Sequence, residues 1–175
     1  MGTNEPEHIR QLREAVKVSP DNTPLRQALA EALLAAGLAA EATTEFRKAL
    51  AAAPEDSSLK LGLARAFFAD GKNSHALVVL EDLVGRSDAP ARAFVLHARL
   101  LAGIGEVEQA VQQYKRGVAK DRSAADPEFA GRLGIHVAPE PEDETPSGIF
   151  DPHAGEDDDE IIDGRVRASW EEPEE

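Results

Sequence analysis

Residues 34–46, LAAGLAAEATTEF, place a glycine in the middle of strong helix formers. Glycine in a helix interior costs about 1 kcal/mol relative to alanine. Gly37 therefore either weakens a single helix or separates two helices. The rest of the sequence decides between these alternatives, because the same arrangement returns at a fixed interval.

Glycine recurs every 34 residues, at Gly37, Gly71 and Gly105. Three further classes of position keep this step: an alanine before each glycine, an alanine after it, and a large apolar residue beyond. They are Ala30, Ala64 and Ala98; Ala42, Ala76 and Ala110; and Phe46, Leu80 and Tyr114. Four classes of position in phase three times indicate an internal repeat.

Each period predicts two helices joined at the glycine. The predicted start signals are Thr23-Pro24, Asp56-Ser57, and Asp88 just before Pro90, since a polar cap followed by proline opens a helix. The first helix of the first period carries its apolar residues at Leu25, Leu29, Leu33 and Ala36. The second helix carries Ala42, Phe46, Ala49 and Leu50 on one face. Gly37 then ends the first helix in a left-handed conformation, which glycine adopts at low cost.

This unit resembles the tetratricopeptide repeat, a helix-turn-helix of 34 residues. The first repeat, 23–56, matches the family at Leu29, Ala30, Gly37, Ala42, Phe46, Ala49 and Pro54. The second, 57–90, keeps Leu63, Ala64, Gly71 and Ala76, with Leu83 in place of the later alanine. The third, 91–124, keeps Ala98, Gly105, Ala110 and Tyr114, with Gly117 where the alanine belongs.

The repeats predict an all-α solenoid of about three and a half units. We expect a half-repeat helix at about 7–18 within an amino-terminal part, 1–22, because Leu12, Ala15 and Pro20 lie 34 residues before Phe46, Ala49 and Pro54. The second part, 23–136, would hold three repeats and a short capping helix that opens at Asp126-Pro127. The third part, 137–175, reads as a largely disordered acidic tail or linker.

Charge is distributed unevenly along the chain. Residues 137–175 hold fifteen acidic and two basic side chains, a net charge of −13, whereas residues 1–136 have a net charge of −1. No basic face is present to favour a nucleic-acid partner. The longest uncharged apolar run, 32–40, is too short for a membrane span. With no cysteine and no apolar signal segment, the sequence predicts a soluble, cytoplasmic protein.

The sequence predicts no catalytic site, cofactor or metal site. The five histidines show no paired metal-ligand spacing, and neither a phosphate-binding loop nor a nucleophile elbow occurs. His97 lies beside Ala98 on a packing face. We expect it to be an interior or edge residue whose hydrogen bonds are satisfied. The prediction is a protein that is not an enzyme.

What remains is a binding surface on the first helices of the repeats, which line the concave side of such solenoids. Helical phase predicts that nine residues face this groove. They are Gln27, Glu31 and Leu34; Leu61, Arg65 and Phe68; and Arg92, Val95 and Arg99. Arginines beside Phe68 and Val95 would suit an acidic-hydrophobic peptide. Surface arginines that merely solubilise the protein are the alternative.

The resemblance implies a protein-interaction module, an adaptor or scaffold that binds a partner peptide or protein in the groove. The terminal-carboxylate clamp of some co-chaperones of this family is not expected, because the matching places carry Gln27, Glu31 and Gly62. One alternative is the amino-terminal, substrate-recruiting region of a larger bacterial AAA-type ATPase, truncated at the linker. Another is a self-associating structural protein.

Overall fold

The computed structural model describes residues 6–135. Predictions that fall on 1–5 and 136–175, including the acidic tail, lie outside the described residues. Within 6–135 the chain is α-helical, without strands. The helices are α1 (Glu7–Val18), α2 (Thr23–Ala35), α3 (Ala39–Ala52), α4 (Ser57–Ala69), α5 (Asn73–Val84), α6 (Ala91–Gly103), α7 (Val107–Lys120) and α8 (Pro127–Arg132), with a 3-10 turn at Arg122–Ala124.

The helices pack as a solenoid of adjacent pairs. α2 packs on α3, α4 on α5 and α6 on α7, and each pair also contacts the next through α3 with α4 and α5 with α6. The first helices α2, α4 and α6 touch one another in turn, and α1 packs on α2. The all-α solenoid predicted from the 34-residue period is confirmed. The division of the chain into 1–22, 23–136 and 137–175 stays a prediction.

The repeated glycines end the first helices as predicted. Gly37, Gly71 and Gly105 have φ of 78°, 72° and 89°. The residue after each glycine donates its N–H to a carbonyl five positions back, at 2.9 Å in all three turns. This bond, together with the left-handed glycine, is the Schellman arrangement that satisfies the last carbonyls of a helix.

The helix starts differ in part from the prediction. The cap of α2 is Asn22, whose side chain accepts from Leu25 N. Asp56 caps α4 as predicted and accepts from Ser58 N and Leu59 N. The prediction that Asp88 opens α6 is wrong. Pro90 holds the cap position without a side-chain hydrogen bond.

Asp88 instead binds one residue at the start of α4 and one residue of its own loop. It accepts from Ser57 Oγ at 2.6 Å and from Arg86 Nε at 3.1 Å. These hydrogen bonds, that from Ser57 first, lower the pKa of Asp88. The carboxylate therefore ties the loop before α6 to the start of α4.

Two hydrophobic clusters form the interior of the described part of the chain, 6–135. One extends from Ile9 in α1 to Leu100 in α6, and the other joins α6, α7 and α8 around Tyr114. The predicted small residues Ala42, Ala76 and Ala110 are fully buried. Ala36, expected on the apolar face of α2, is an exposed residue at its C-terminal end. No helix within 6–135 has the length and apolar character that a membrane crossing requires.

Candidate functional site

A column of charged residues crosses the first helices of the three repeats. Glu31 in α2, Arg65 in α4 and Arg99 in α6 are spaced by 34 residues. Arg65 Nη1 binds both carboxylate oxygens of Glu31, at 2.9 and 3.2 Å. Arg99 pairs with Asp126 at the start of α8. Each arginine of the column is therefore paired with a carboxylate of the protein, and part of its positive charge is already neutralised.

An open cavity of about 440 Å³ lies along α6, between α4 and the segment that leads into α8. We call it the arginine groove. Its lining is Leu61, Arg65, Arg92, Val95, Leu96, Arg99 and residues 123–127. Five of the nine predicted residues thus meet in one place, namely Leu61, Arg65, Arg92, Val95 and Arg99.

The wall formed by residues 123–127 is fixed by Tyr114 of α7. The Tyr114 hydroxyl donates to the Asp126 carbonyl and accepts from the Asp126 N–H, both at 2.9 Å. The Asp126 carboxylate accepts from Phe129 N and so caps α8. This backbone hydrogen bond, with a further contribution from Arg99, lowers the pKa of Asp126. The Arg99 guanidinium also lies 5.6 Å from the centroid of the Phe129 ring.

Arg92 is the groove arginine with the least engaged charge. It is exposed, and no ion pair or hydrogen bond joins it to another residue within 6–135. Its charge contributes, after hydrogen bonds from Ser123, to the lowered pKa of Asp121. Arg92 is therefore the cation that an incoming anionic group meets without displacing a protein carboxylate.

The other predicted residues lie outside this cavity. Phe68 is 39% exposed and lines an adjoining cavity with Arg99, Phe129 and Arg132. Gln27, Glu31 and Leu34 are partly buried on α2, and Leu34 packs against the first hydrophobic cluster. They do not line the arginine groove.

Val95 corrects one detail of the prediction. It was expected to face away from the interior, but it is only 8% exposed and belongs to the second hydrophobic cluster. The reason is that α7 approaches α6 closely at Gly117, where a Cβ would lie 3.1 Å from Val95 Cγ2. Val95 contributes an apolar floor to the groove and no exposed contact.

Sequence reasoning missed the wall of the groove. Ser123, Ala124, Ala125 and Asp126 were not predicted to line it, although Asp126 lies 34 residues after Arg92. Continuing the repeat register one step past the third unit would have placed Asp126 on the same face as Arg92. That register was the available signal.

The histidine prediction is confirmed for position and wrong for hydrogen bonding. His97 is 6% exposed, but neither ring nitrogen has a hydrogen-bond partner within 6–135. Burial lowers the pKa of His97, against an opposing effect of Glu81. Within the same residues, no group of three or more potential ligand side chains could hold a metal ion.

Comparison with known proteins places the fold. No family model and no curated protein matches the sequence. Among solved structures, MamA from Desulfovibrio magneticus RS-1 is 23% identical, with a TM-score of 0.63 over 73% of this chain and 71% of that chain. A thermophilic TPR protein of Thermus thermophilus is 17% identical, with a TM-score of 0.59 over 72% of this chain and 69% of that chain.

A tetratricopeptide repeat protein from Parabacteroides merdae ATCC 43184 is 22% identical, with a TM-score of 0.60 over 71% of this chain and 48% of that chain. These likenesses agree with the glycine turns and the paired helices. The chain has the tetratricopeptide-repeat fold that its period predicts.

Proposed function

We propose that this protein is a non-catalytic interaction module, an adaptor or scaffold that binds a partner peptide or protein in the arginine groove. The observation that carries the proposal is the convergence of Arg65, Arg92 and Arg99 around an apolar floor in a cavity of about 440 Å³. Stacked helix pairs expose extended surfaces of this kind to protein partners. Volumes of roughly 300 to 1,000 Å³ are typical of ligand pockets.

The chemistry of the groove favours an acidic-hydrophobic segment. A carboxylate of the partner would bind Arg92, since an arginine fork matches a carboxylate with two hydrogen bonds. An apolar side chain would pack on Leu61, Leu96 and Pro127. Arg65 and Arg99 already bind Glu31 and Asp126. A carboxylate of the partner would therefore share these two guanidinium groups with the protein's own carboxylates.

The test is a selection followed by charge reversal. A random peptide library is panned against the full chain, and the selected peptides are measured by fluorescence anisotropy on Arg92→Glu and Lys115→Glu. Lys115 is exposed on α7 and does not line the groove, so it controls for the change in net charge. We expect the selected peptides to combine a carboxylate with a large apolar side chain. They should bind Arg92→Glu about tenfold more weakly than they bind Lys115→Glu.

Peptides that bind both variants equally, or no selected peptide, would contradict the proposal. The alternative of a recruiting region within a larger AAA-type ATPase stays a prediction from the layout of the sequence. It rests on residues 137–175, which lie outside the described part of the chain. The prediction of a cytoplasmic protein without nucleic-acid or membrane partners also stands as a proposal.

A further inference from the structure

A further cavity lies on the face of α4 opposite the arginine groove. Its floor is Leu63 and Phe67, and its walls are Val78, Val79 and His75 of α5 and Arg47 of α3. We call it the valine pocket. By the period of about 3.6 residues per turn, Leu63 and Phe67 point away from Leu61 and Arg65, which line the arginine groove. The two cavities are therefore separate surfaces.

The valine pocket is apolar and large enough to hold a side chain of a partner. Its volume is about 410 Å³, within the range of roughly 300 to 1,000 Å³ for ligand pockets. Val78 is 66% exposed, whereas Leu63 and Phe67 are buried beneath it. An exposed apolar wall over a buried apolar floor favours an interaction site over a solvated surface.

The repeat itself shows that the solenoid does not require these valines. The places 34 residues before and after Val78-Val79 carry Thr44-Glu45 and Gln112-Gln113. The polar residues are used within the chain: Glu45 accepts from Arg26 and Lys48, and Gln113 accepts from Arg116. Only the second of the three repeats has an apolar pair at this place.

Arg47 gives the pocket its charge preference. Its guanidinium carbon lies 5.3 Å from the centroid of the Phe67 ring. No hydrogen bond or ion pair joins Arg47 to another residue in the described part of the chain. A carboxylate is thus attracted on the α3 side of the pocket, where Arg47 lies.

We propose that the valine pocket is a second docking site, for a partner segment that inserts one leucine or phenylalanine and places a carboxylate against Arg47. The apolar side chain packs on Phe67, Leu63 and Val78, and removal of this surface from water drives binding. The carboxylate then pairs with a guanidinium that is already held in place by the aromatic ring. This site is independent of the arginine groove.

The test uses the full chain, labelled with ¹⁵N, and two blocked helical probe peptides. One peptide carries a leucine and a glutamate four residues apart in an alanine and glutamine background. In the other, lysine replaces the glutamate. We expect the first peptide to shift the amide signals of residues 74–79, and the lysine peptide to bind at least about threefold more weakly.

The decisive variant is Val78→Gln, which installs the residue that the third repeat carries at Gln112. Its dissociation constant for the glutamate peptide should rise about fivefold. Val107→Gln is the matched control, because Val107 is also an exposed valine, at 49%, and lies outside the pocket. Thermal melts check that both variants are folded.

Three results would overturn the proposal. They are no binding of the glutamate peptide up to its solubility limit, shifts confined to residues of the arginine groove, or equal binding by wild type and Val78→Gln. Sedimentation velocity adds a fourth. A concentration-dependent dimer that Val78→Gln abolishes would show that a second copy of the chain, rather than a partner segment, covers the pocket.

Discussion

Gly62 and Gly117 lie inside helices at places where the neighbouring helix leaves no room for a Cβ. Their backbone conformation does not itself require glycine. A Cβ on Gly62 would lie 2.3 Å from a ring carbon of Phe46. A Cβ on Gly117 would lie 2.9 Å from the Ala91 carbonyl oxygen and 3.1 Å from Phe94 Cβ. Both glycines therefore allow a close approach of helices, α4 to α3 and α7 to α6, that a larger residue would prevent.

Gly117→Ala tests this close approach. Alanine is the better helix former by about 1 kcal/mol, yet we expect the free energy of unfolding to fall by about 1 to 3 kcal/mol, because the methyl group overpacks the α6–α7 contact. Gly103→Ala is the control, since Gly103 ends α6 with no atom within 4 Å of a Cβ. Urea denaturation of both variants measures the difference, and an equal stability change in the two would refute the packing argument.

The buried His97 should make the free energy of unfolding depend on pH. It occupies the place of Leu29 and Leu63 in the earlier repeats, and burial lowers its pKa below 6.5. Below pH 6.5 the unfolded chain therefore binds more protons at this residue than the folded chain does. Stability falls as the pH falls, by at most about 1.4 kcal/mol per pH unit.

The measurement is the free energy of unfolding between pH 7 and pH 5 for wild type and His97→Leu. The leucine variant should be flatter in this interval. Glu81 of α5 and Arg116 of α7 act on the pKa of His97 in opposite directions. Parallel curves for the two proteins would show that His97 binds the same number of protons in the folded and the unfolded chain.

Ion pairs between helices differ in how far they are buried, and therefore in how much they contribute to the free energy of unfolding. The Arg26–Glu45 pair connects α2 and α3 with side chains that are 13% and 11% exposed. The Arg65–Glu31 pair connects α4 and α2 with side chains that are 47% and 38% exposed. Burial alone raises the pKa of Glu45, but the hydrogen bonds from Lys48 and Arg26 outweigh it and lower the pKa.

We therefore expect Arg26→Ala to lower the free energy of unfolding by about 2 kcal/mol, because it leaves a buried carboxylate with fewer donors. Arg65→Ala should cost at most about 1 kcal/mol, since exposed pairs are screened by water. Urea titrations at low and high salt compare the two. A larger loss for Arg65→Ala, or no loss for Arg26→Ala, would contradict this ranking.

The helix ends that could be predicted from sequence depend on hydrogen bonds between residues a few positions apart. Gly37 ends α2 through a bond from Leu38 to Leu33, and Asp56 caps α4 through residues two and three positions on. Asp88 could not be predicted, because its partner Ser57 lies 31 residues earlier in the chain. Five groove residues followed from helical phase, but the wall at 123–127 is held by the hydrogen bonds between Tyr114 of α7 and Asp126, which helical phase does not predict.

At the scale of the described solenoid, the arginine groove lies where the repeats end. Ala124 of its wall belongs to the second hydrophobic cluster, together with Phe129 of α8. In a solenoid each unit is stabilised mainly by its neighbours, so an end unit can open without the rest. The two Tyr114–Asp126 hydrogen bonds oppose that opening and join the stability of α8 to the shape of the groove.

Tyr114→Phe should release this end selectively. Phenylalanine fits, because Phe46 holds the matching place in the first repeat, but it removes both hydrogen bonds to Asp126. Hydrogen exchange of the Ala130 and Ile135 amides, which bond to the Asp126 and Ala130 carbonyls, should accelerate about tenfold, while the amides of α2 to α5 stay unchanged. Peptide binding in the arginine groove should weaken, and binding in the valine pocket should not. A uniform increase of exchange across α2 to α7 would instead show that Tyr114 stabilises the whole solenoid and that the groove wall has no separate opening.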